Sequence, residues 1–154
     1  MPEKKVRLGD IVLDAKKNYF PLIESDYPRL PSSILYADLP KLPVAGDLQS
    51  PKSKLLVAVI DGDPVDTALK WHRESTEGSK SIPVVSMANE DRPGGDWESA
   101  KMGQEEDICR RSNLARALTS PSRASHYPIP SKGGIYSPFV GMHFDPTYLN
   151  KSFL

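Results

Sequence analysis

Two adjacent carboxylates, Glu105 and Glu106, follow the glycine pair Gly94 and Gly95 in the run R-P-G-G-D-W-E-S-A-K-M-G-Q-E-E-D, from Arg92 to Asp107. Glycine lacks a Cβ, so the backbone there can take positive φ and approach a bound group closely while offering N–H donors. Neighbouring acids on a helix diverge by about 100°, so they cannot share one face and would do different jobs. Glycosidic bond cleavage passes through an oxocarbenium-like state. It needs a carboxylic acid to protonate the departing oxygen and a second group to hold the sugar or the water. The plainer reading treats Pro-Gly-Gly as a tight turn and the acids as complements to a helix dipole on a solvated surface. The run has neither the Gly-x-Gly-x-x-Gly spacing of dinucleotide sites nor the lysine of a P-loop.

A proton donor at a helix start meets a conflict, because the positive end of the dipole lowers a carboxylate pKa and an acid catalyst needs a raised one. The dipole contributes about 0.3 to 1 kcal/mol when exposed, whereas burial shifts a pKa by several units. A cleft that desolvates the acids therefore decides the matter in favour of proton donation.

The elements that would position these groups follow from patterning. L-L-V-A-V-I, ending at Ile60, is continuous and apolar, as in a strand covered on both faces. A helix follows: Asp63 caps it, Pro64 takes the first helical position, Asp66 complements the dipole, and Val65, Ala68, Leu69 and His72 form one stripe. After a polar loop from Thr76 to Ser81, I-P-V-V-S-M-A-N from Ile82 to Asn89 reads as a second strand, giving a parallel βαβ unit. A further helix is expected from near Gly103 towards Leu118, and another strand from Gly133 to Val140. In an α/β architecture ligands sit at the carboxyl ends of the strands, which is where the glycine run falls. Residues 1 to 50 carry short apolar clusters, Ile11 to Leu13 and Ser33 to Leu39, interrupted by Pro21, Pro28, Pro31, Pro40 and Pro43. They are expected to form a proline-rich extended arm, with residues 51–154 as the domain proper.

Composition narrows the partners. Lys plus Arg and Asp plus Glu are 20 each, so no long-range field recruits DNA or an anionic membrane. The single cysteine, Cys109, excludes an internal disulfide, and no apolar run reaches membrane-spanning length; an intracellular protein of cytoplasm or nucleus is expected. His72, His126 and His143 have no metal-ligand spacing to Cys109, so no zinc site is expected. Cys109 reads as a small buried hydrophobe. Arg110, Arg111 and Arg116 read as a solvated helix face, with Arg111 able to pair with Glu106 or Asp107. Tyr136 and Phe139 read as core or as stacking partners for an adenine.

The segment V-V-S-M-A-N-E-D-R-P-G-G-D-W-E-S-A-K-M-G-Q-E-E-D-I-C-R-R-S-N-L closely resembles the microbial-type poly(ADP-ribose) glycohydrolase family, a branch of the macrodomains. That family's signature is a glycine triplet, a short spacer and Gln-Glu-Glu. Here Gly94, Gly95 and Asp96 stand at the triplet, Trp97 to Gly103 form the spacer, and Gln104, Glu105 and Glu106 complete it. D-G-D-P-V-D-T-A-L, C-R-R-S-N-L-A-R-A-L and Y-P-I-P-S-K-G-G-I-Y-S-P-F-V are further matches, so the resemblance runs from residue 55 to residue 145.

The resemblance implies a macrodomain-like α/β fold, a mostly parallel sheet flanked by helices, continuing past Leu154 with further strands and a second glycine-rich loop. It also implies that Glu106 is the general acid for the ribose–ribose bond, that Glu105 binds ribose hydroxyls, and that Gln104 positions the turn. Gly94 and Gly95 would cradle ribose and diphosphate, and Asn89 would contact the ribose. Poly(ADP-ribose) is then the substrate and ADP-ribose the product, with no cofactor. Asp96 departs from the triplet by adding a Cβ and a negative charge where a diphosphate approaches. Two other readings stand beside the hydrolase: a non-catalytic ADP-ribose-binding module or degenerate family member, and an assembly protein that oligomerises through a sheet edge or the arm.

Overall fold

The computed structural model describes residues 7–28, 33–38, 57–74, 82–119 and 126–142. These fall into two compact units: one combines the described residues up to 38 with those from 86 onward, and the other contains 57–74 and 82–85. Leu55, the loop from Thr76 to Ser81 and His143 lie outside the described residues.

The unit that carries the glycine run opens with helix where the prolines predict an extended arm. α1 (Leu8–Asp14) passes through a π-helical turn (Ala15–Tyr19) into α2 (Phe20–Asp26). Pro21 explains the irregular turn, since it lacks an N–H and its ring crowds the carbonyl four residues back. The π turn, in which the Phe20 N–H donates to the Ala15 carbonyl, widens the helix just before it. Pro21 then sits in the first turn of α2, where the missing donor matters least. Asp10 fixes the start of α1 by accepting the Arg7 N–H at 3.4 Å. Val12 and Ala15 are the buried residues of this run.

β1 (Ile34–Tyr36) comes from the second apolar cluster of the same segment and pairs antiparallel with β2 (Gly134–Tyr136), Leu35 opposite Ile135. The strand expected over Gly133 to Val140 is thus realised over three residues, and Pro138, which cannot donate to a ladder, lies just beyond. The pair is stitched from outside by Ser33 Oγ and Ser137 Oγ, 2.9 Å apart, and by a His126 Nε2 hydrogen bond to the Ser33 carbonyl at 3.0 Å. Tyr136 and Phe139, expected in the core, are more than half exposed.

The helix expected from Gly103 to Leu118 is broken into α3 (Gln104–Arg111) and α4 (Leu114–Leu118). Short polar side chains offer the backbone an alternative to the helical ladder at the break. Ser112 Oγ donates to the Ile108 carbonyl at 2.6 Å and accepts the Leu114 N–H at 3.1 Å. Asn113 bonds Gly141 twice: its N–H donates to the Gly141 carbonyl and its Oδ1 accepts the Gly141 N–H, at 3.1 and 2.8 Å. Ile108, Cys109, Leu114 and Ala115 from these helices join Trp97 in the core of the unit.

The other unit contains the expected helix, α5 by our numbering (Pro64–Glu74), capped as predicted: Asp63 Oδ1 accepts the Asp66 N–H at 2.8 Å. Val65 is buried, but His72 at the end of the expected stripe is exposed. The two flanking strands are not formed. Residues 57–60 and 82–89 take no strand pairing, and the two-stranded antiparallel sheet is the only sheet among the described residues, so the parallel βαβ arrangement is not observed. A strand meant for burial on both faces needs lateral partners. Val57, Val59, Ile60, Val84 and Val85 are exposed. Among the described residues no helix is long and apolar enough to cross a membrane.

Candidate active site

α3 starts at Gly103, whose extended backbone precedes three acids in the first turn, Glu105, Glu106 and Asp107. Acids there complement the dipole, yet Glu105 and Glu106 are buried, with 3% and 7% of their surface exposed. Their solvation is replaced by main-chain donors from the incoming segment. Glu105 Oε2 accepts the Asn89 N–H at 2.7 Å, and its Oε1 accepts the Gly94 N–H at 3.1 Å. Glu106 Oε1 accepts the Asp96 N–H at 3.2 Å. Gln104 Oε1 accepts the Met87 N–H at 2.7 Å. The structure therefore brings Asn89, Gly94, Gly95, Asp96, Gln104, Glu105 and Glu106 into one constellation.

Gly94 and Gly95 take φ of +73° and +56°. This conformation follows from the approach of the carboxylates. A Cβ on Gly95 would lie 2.7 Å from Glu106 Oε1 and 3.2 Å from Glu105 Oε2, and one on Gly94 would lie 2.9 Å from the Trp97 ring. The turn's N–H groups are also engaged inside the protein. Besides the Gly94 and Asp96 bonds to glutamates, Gly95 donates to the Arg92 carbonyl at 3.2 Å and Trp97 to the Gly94 carbonyl at 3.1 Å. Asn89 Oδ1 is taken up locally as well, accepting the Asp91 and Arg92 N–H groups at 2.9 Å each.

Burial is the largest influence on Glu105 and lifts its carboxyl above the ordinary value; the Asn89 and Gly94 donors pull it down, and neighbouring Glu106 pushes it up. Desolvation prevails at that residue. Both Glu105 oxygens are held by main-chain donors, whereas no hydrogen bond reaches Glu106 Oε2 among the described residues.

Asp96 does not stand as an isolated negative charge. Arg92 approaches its carboxylate to 2.8 Å and Lys101 Nζ to 3.1 Å, and its pKa is lowered, first by the Lys101 hydrogen bond. The same ammonium lies 4.0 Å from Glu106 Oε1.

One residue outside the expected set organises the site. Arg110, expected on a solvated face, is 1% exposed, and its guanidinium donates to the carbonyls of Trp97 and Ser99 at 3.0 Å each and to that of Lys101. It thereby holds the spacer against the helix that presents the acids. Its position four residues after Glu106, on the same face of α3, was the available signal. Arg111 does pair with Asp107, at 3.3 Å. The Tyr127 hydroxyl is pushed well above the ordinary range, by burial first and then by Glu105. Cys109 is wholly buried, as expected, and its thiol is pushed up to about 12, by burial first and then by Glu105 and Glu106.

The spacer is buttressed from the N-terminal helical run. Phe20 meets the Trp97 ring at a centroid distance of 5.9 Å, Lys16 Nζ stands 5.4 Å from it, and the same ammonium pairs with Glu98 at 2.7 Å. The N-terminal helical run thus stands behind the site.

A comparison with protein families accords with this geometry. The profile of the microbial-type PARG catalytic domain matches residues 9–143, most of the chain. The chain belongs to that family. The matched region begins inside α1, so the PARG match takes in the helical run that supports Trp97 as well as the glycine turn and α3. Comparison with curated proteins and with solved structures returned no match.

Proposed function

We propose that this PARG-family chain is a poly(ADP-ribose) glycohydrolase that cleaves ribose–ribose O-glycosidic bonds and releases ADP-ribose. The observation that carries this reading is the unequal engagement of the two buried acids. Glu106 is steadied through one oxygen by the Asp96 N–H, and its other oxygen is open to hold and deliver a proton to the departing ribose oxygen. Glu105 is pinned through both oxygens, which suits a group that orients rather than reacts. A carboxylate has about four lone-pair sites, so two remain for ribose hydroxyls after the Asn89 and Gly94 bonds are made. Proton transfer from Glu106 to the leaving oxygen breaks the glycosidic bond, and water attacks the oxocarbenium-like carbon, giving up its proton to the Glu106 carboxylate and restoring the acid. Gln104 fixes the start of α3 through Met87, the glycine turn gives sugar and diphosphate room to approach, and Asn89 holds the turn in register beside the ribose.

A second reading, an ADP-ribose binder without catalysis, is favoured by the internal engagement of the N–H groups of the turn and by Asp96 at the third triplet position. Incubating the wild type and Glu106→Gln with poly(ADP-ribose) separates the two. The hydrolase releases ADP-ribose, and the variant should lose about 10²- to 10⁴-fold in rate while still binding the polymer. Binding by the wild type without release would establish the binder instead.

A further inference from the structure

One oxygen of Glu106 rests against a residue that has no side chain. Gly103 precedes α3 with extended backbone, φ −162° and ψ 162°, a conformation open to any amino acid. The turn therefore does not demand glycine there. The acid does: a Cβ built on Gly103 would overlap Glu106 Oε2 and come to 3.3 Å from its Cδ. On the opposite side, a Cβ on Gly95 would fall 2.7 Å from Oε1 and 3.4 Å from Cδ. Gly94 serves other neighbours, since its missing Cβ leaves room for the Trp97 ring and the Cys109 sulfur. The Glu106 carboxyl thus occupies a slot between Gly95 and Gly103. The Asp96 N–H closes it by donating to Oε1 at 3.2 Å, and Lys101 Nζ stands 4.0 Å from the same oxygen.

We infer that Gly103 is a positioning residue for the general acid: with Gly95 it forms a slot, free of Cβ atoms, that fixes the direction in which Glu106 Oε2 presents its proton. The inference rests on the reading of Glu106 as the proton donor. A glutamate side chain turns about three bonds, so its far end yields before the backbone does. A Cβ at Gly103 would therefore displace the carboxyl and leave the helix standing. Retreat towards Gly95 is blocked, because the main chain from Gly95 to Asp96 already lies against Oε1. The carboxyl has to leave the slot and give up the Asp96 N–H. Proton transfer requires hydrogen-bond reach, and a misplacement of about 1 Å costs about 10²-fold in rate. Gly103 also isolates this contact, whereas at Gly95 a positive φ adds backbone strain to it.

Gly103→Ala and Gly103→Ser test this in the full chain, with circular dichroism and thermal unfolding to follow the fold. Serine carries the same Cβ and caps a helix better than alanine, so that variant should melt within about 5 °C of the wild type. With poly(ADP-ribose), both variants should lose about 10²-fold in kcat with little change in KM. A second readout needs no turnover. In the isotopically labelled chain, the Asp96 amide proton should shift upfield as its acceptor withdraws, towards its position in Glu106→Ala. Adding Gly103→Ala to Glu106→Ala should move it no further. An Asp96 amide that stays in place in the Gly103 variants, or an active chain whose kcat they leave unchanged, would overturn the inference. So would a shift of the same size in the Glu106→Ala background, which would pass through the backbone and not through the acid. Unfolding of both variants would also overturn it, by showing that Gly103 serves the fold. The expected amide shift in a wild type that releases no ADP-ribose would instead uphold the slot and sink the hydrolase reading.

Discussion

The turn and helix from Asn89 to Arg111 and the apolar segments flanking α5 carry comparably strong sequence signals, yet they end in opposite states. In the first, Glu105 and Arg110 are almost completely buried and each hydrogen-bonds main-chain partners within 16 residues along the chain. In the second, Val57, Val59 and Val85 are 82%, 100% and 79% exposed. The difference lies in where the partners come from. A hydrogen-bonded turn closes on itself, whereas an extended apolar segment gains burial only from neighbours distant in sequence.

The strongest way to break that contrast is at Arg110. Arg110→Met leaves the Trp97, Ser99 and Lys101 carbonyls without their donor, and the chain should lose about 3 kcal/mol in denaturant unfolding. Arg110→Lys should recover only part, since one ammonium cannot reproduce the fork. A loss as small as that of a surface change would mean that the spacer is held by something else. Gly95→Ala comes next. It combines positive φ with a Cβ 2.7 Å from Glu106 Oε1, so about 1 to 2 kcal/mol of stability should go, and kcat should fall more than KM as the acid is displaced.

A pH series sharpens the comparison further. Burial raises the Glu105 carboxyl, so the folded chain keeps its proton to higher pH than the unfolded one. Its contribution to stability is complete below the ordinary carboxylate range and declines as pH rises through the raised native value. The stability difference between wild type and Glu105→Gln should drift downward over that window; a flat difference would argue against desolvation as the ruling influence. The smallest effect belongs to the other unit. Val59→Thr should change stability by no more than about 0.5 kcal/mol, and a larger loss would show that this segment is packed in solution.

The sequence was most legible where structure is local. The glycine pair, the neighbouring acids and the Asp63 cap all express rules that act over a few residues, and each is found in place. The expected strands are not formed over residues 57–60 and 82–89 because an apolar run reports a preference for burial, not the presence of a partner to provide it. The break between α3 and α4 was hidden in Ser112 and Asn113, whose side chains act only once Gly141 is near. Prolines suggested an extended arm, but a π turn before Pro21 lets the helix continue. Arg110 looked like a solvated cation because its three acceptors lie on a loop whose path the sequence does not spell out.

Cys109 is the only cysteine of the chain, it has no exposed surface, and a methyl on Gly94 would come within 3.1 Å of its sulfur. With its thiol pushed up to about 12, it stays protonated near neutrality and inert to iodoacetamide for as long as the glycine turn covers it. Alkylation at this one position, followed by mass spectrometry, therefore serves as a clock for how often the lid over the helix lifts.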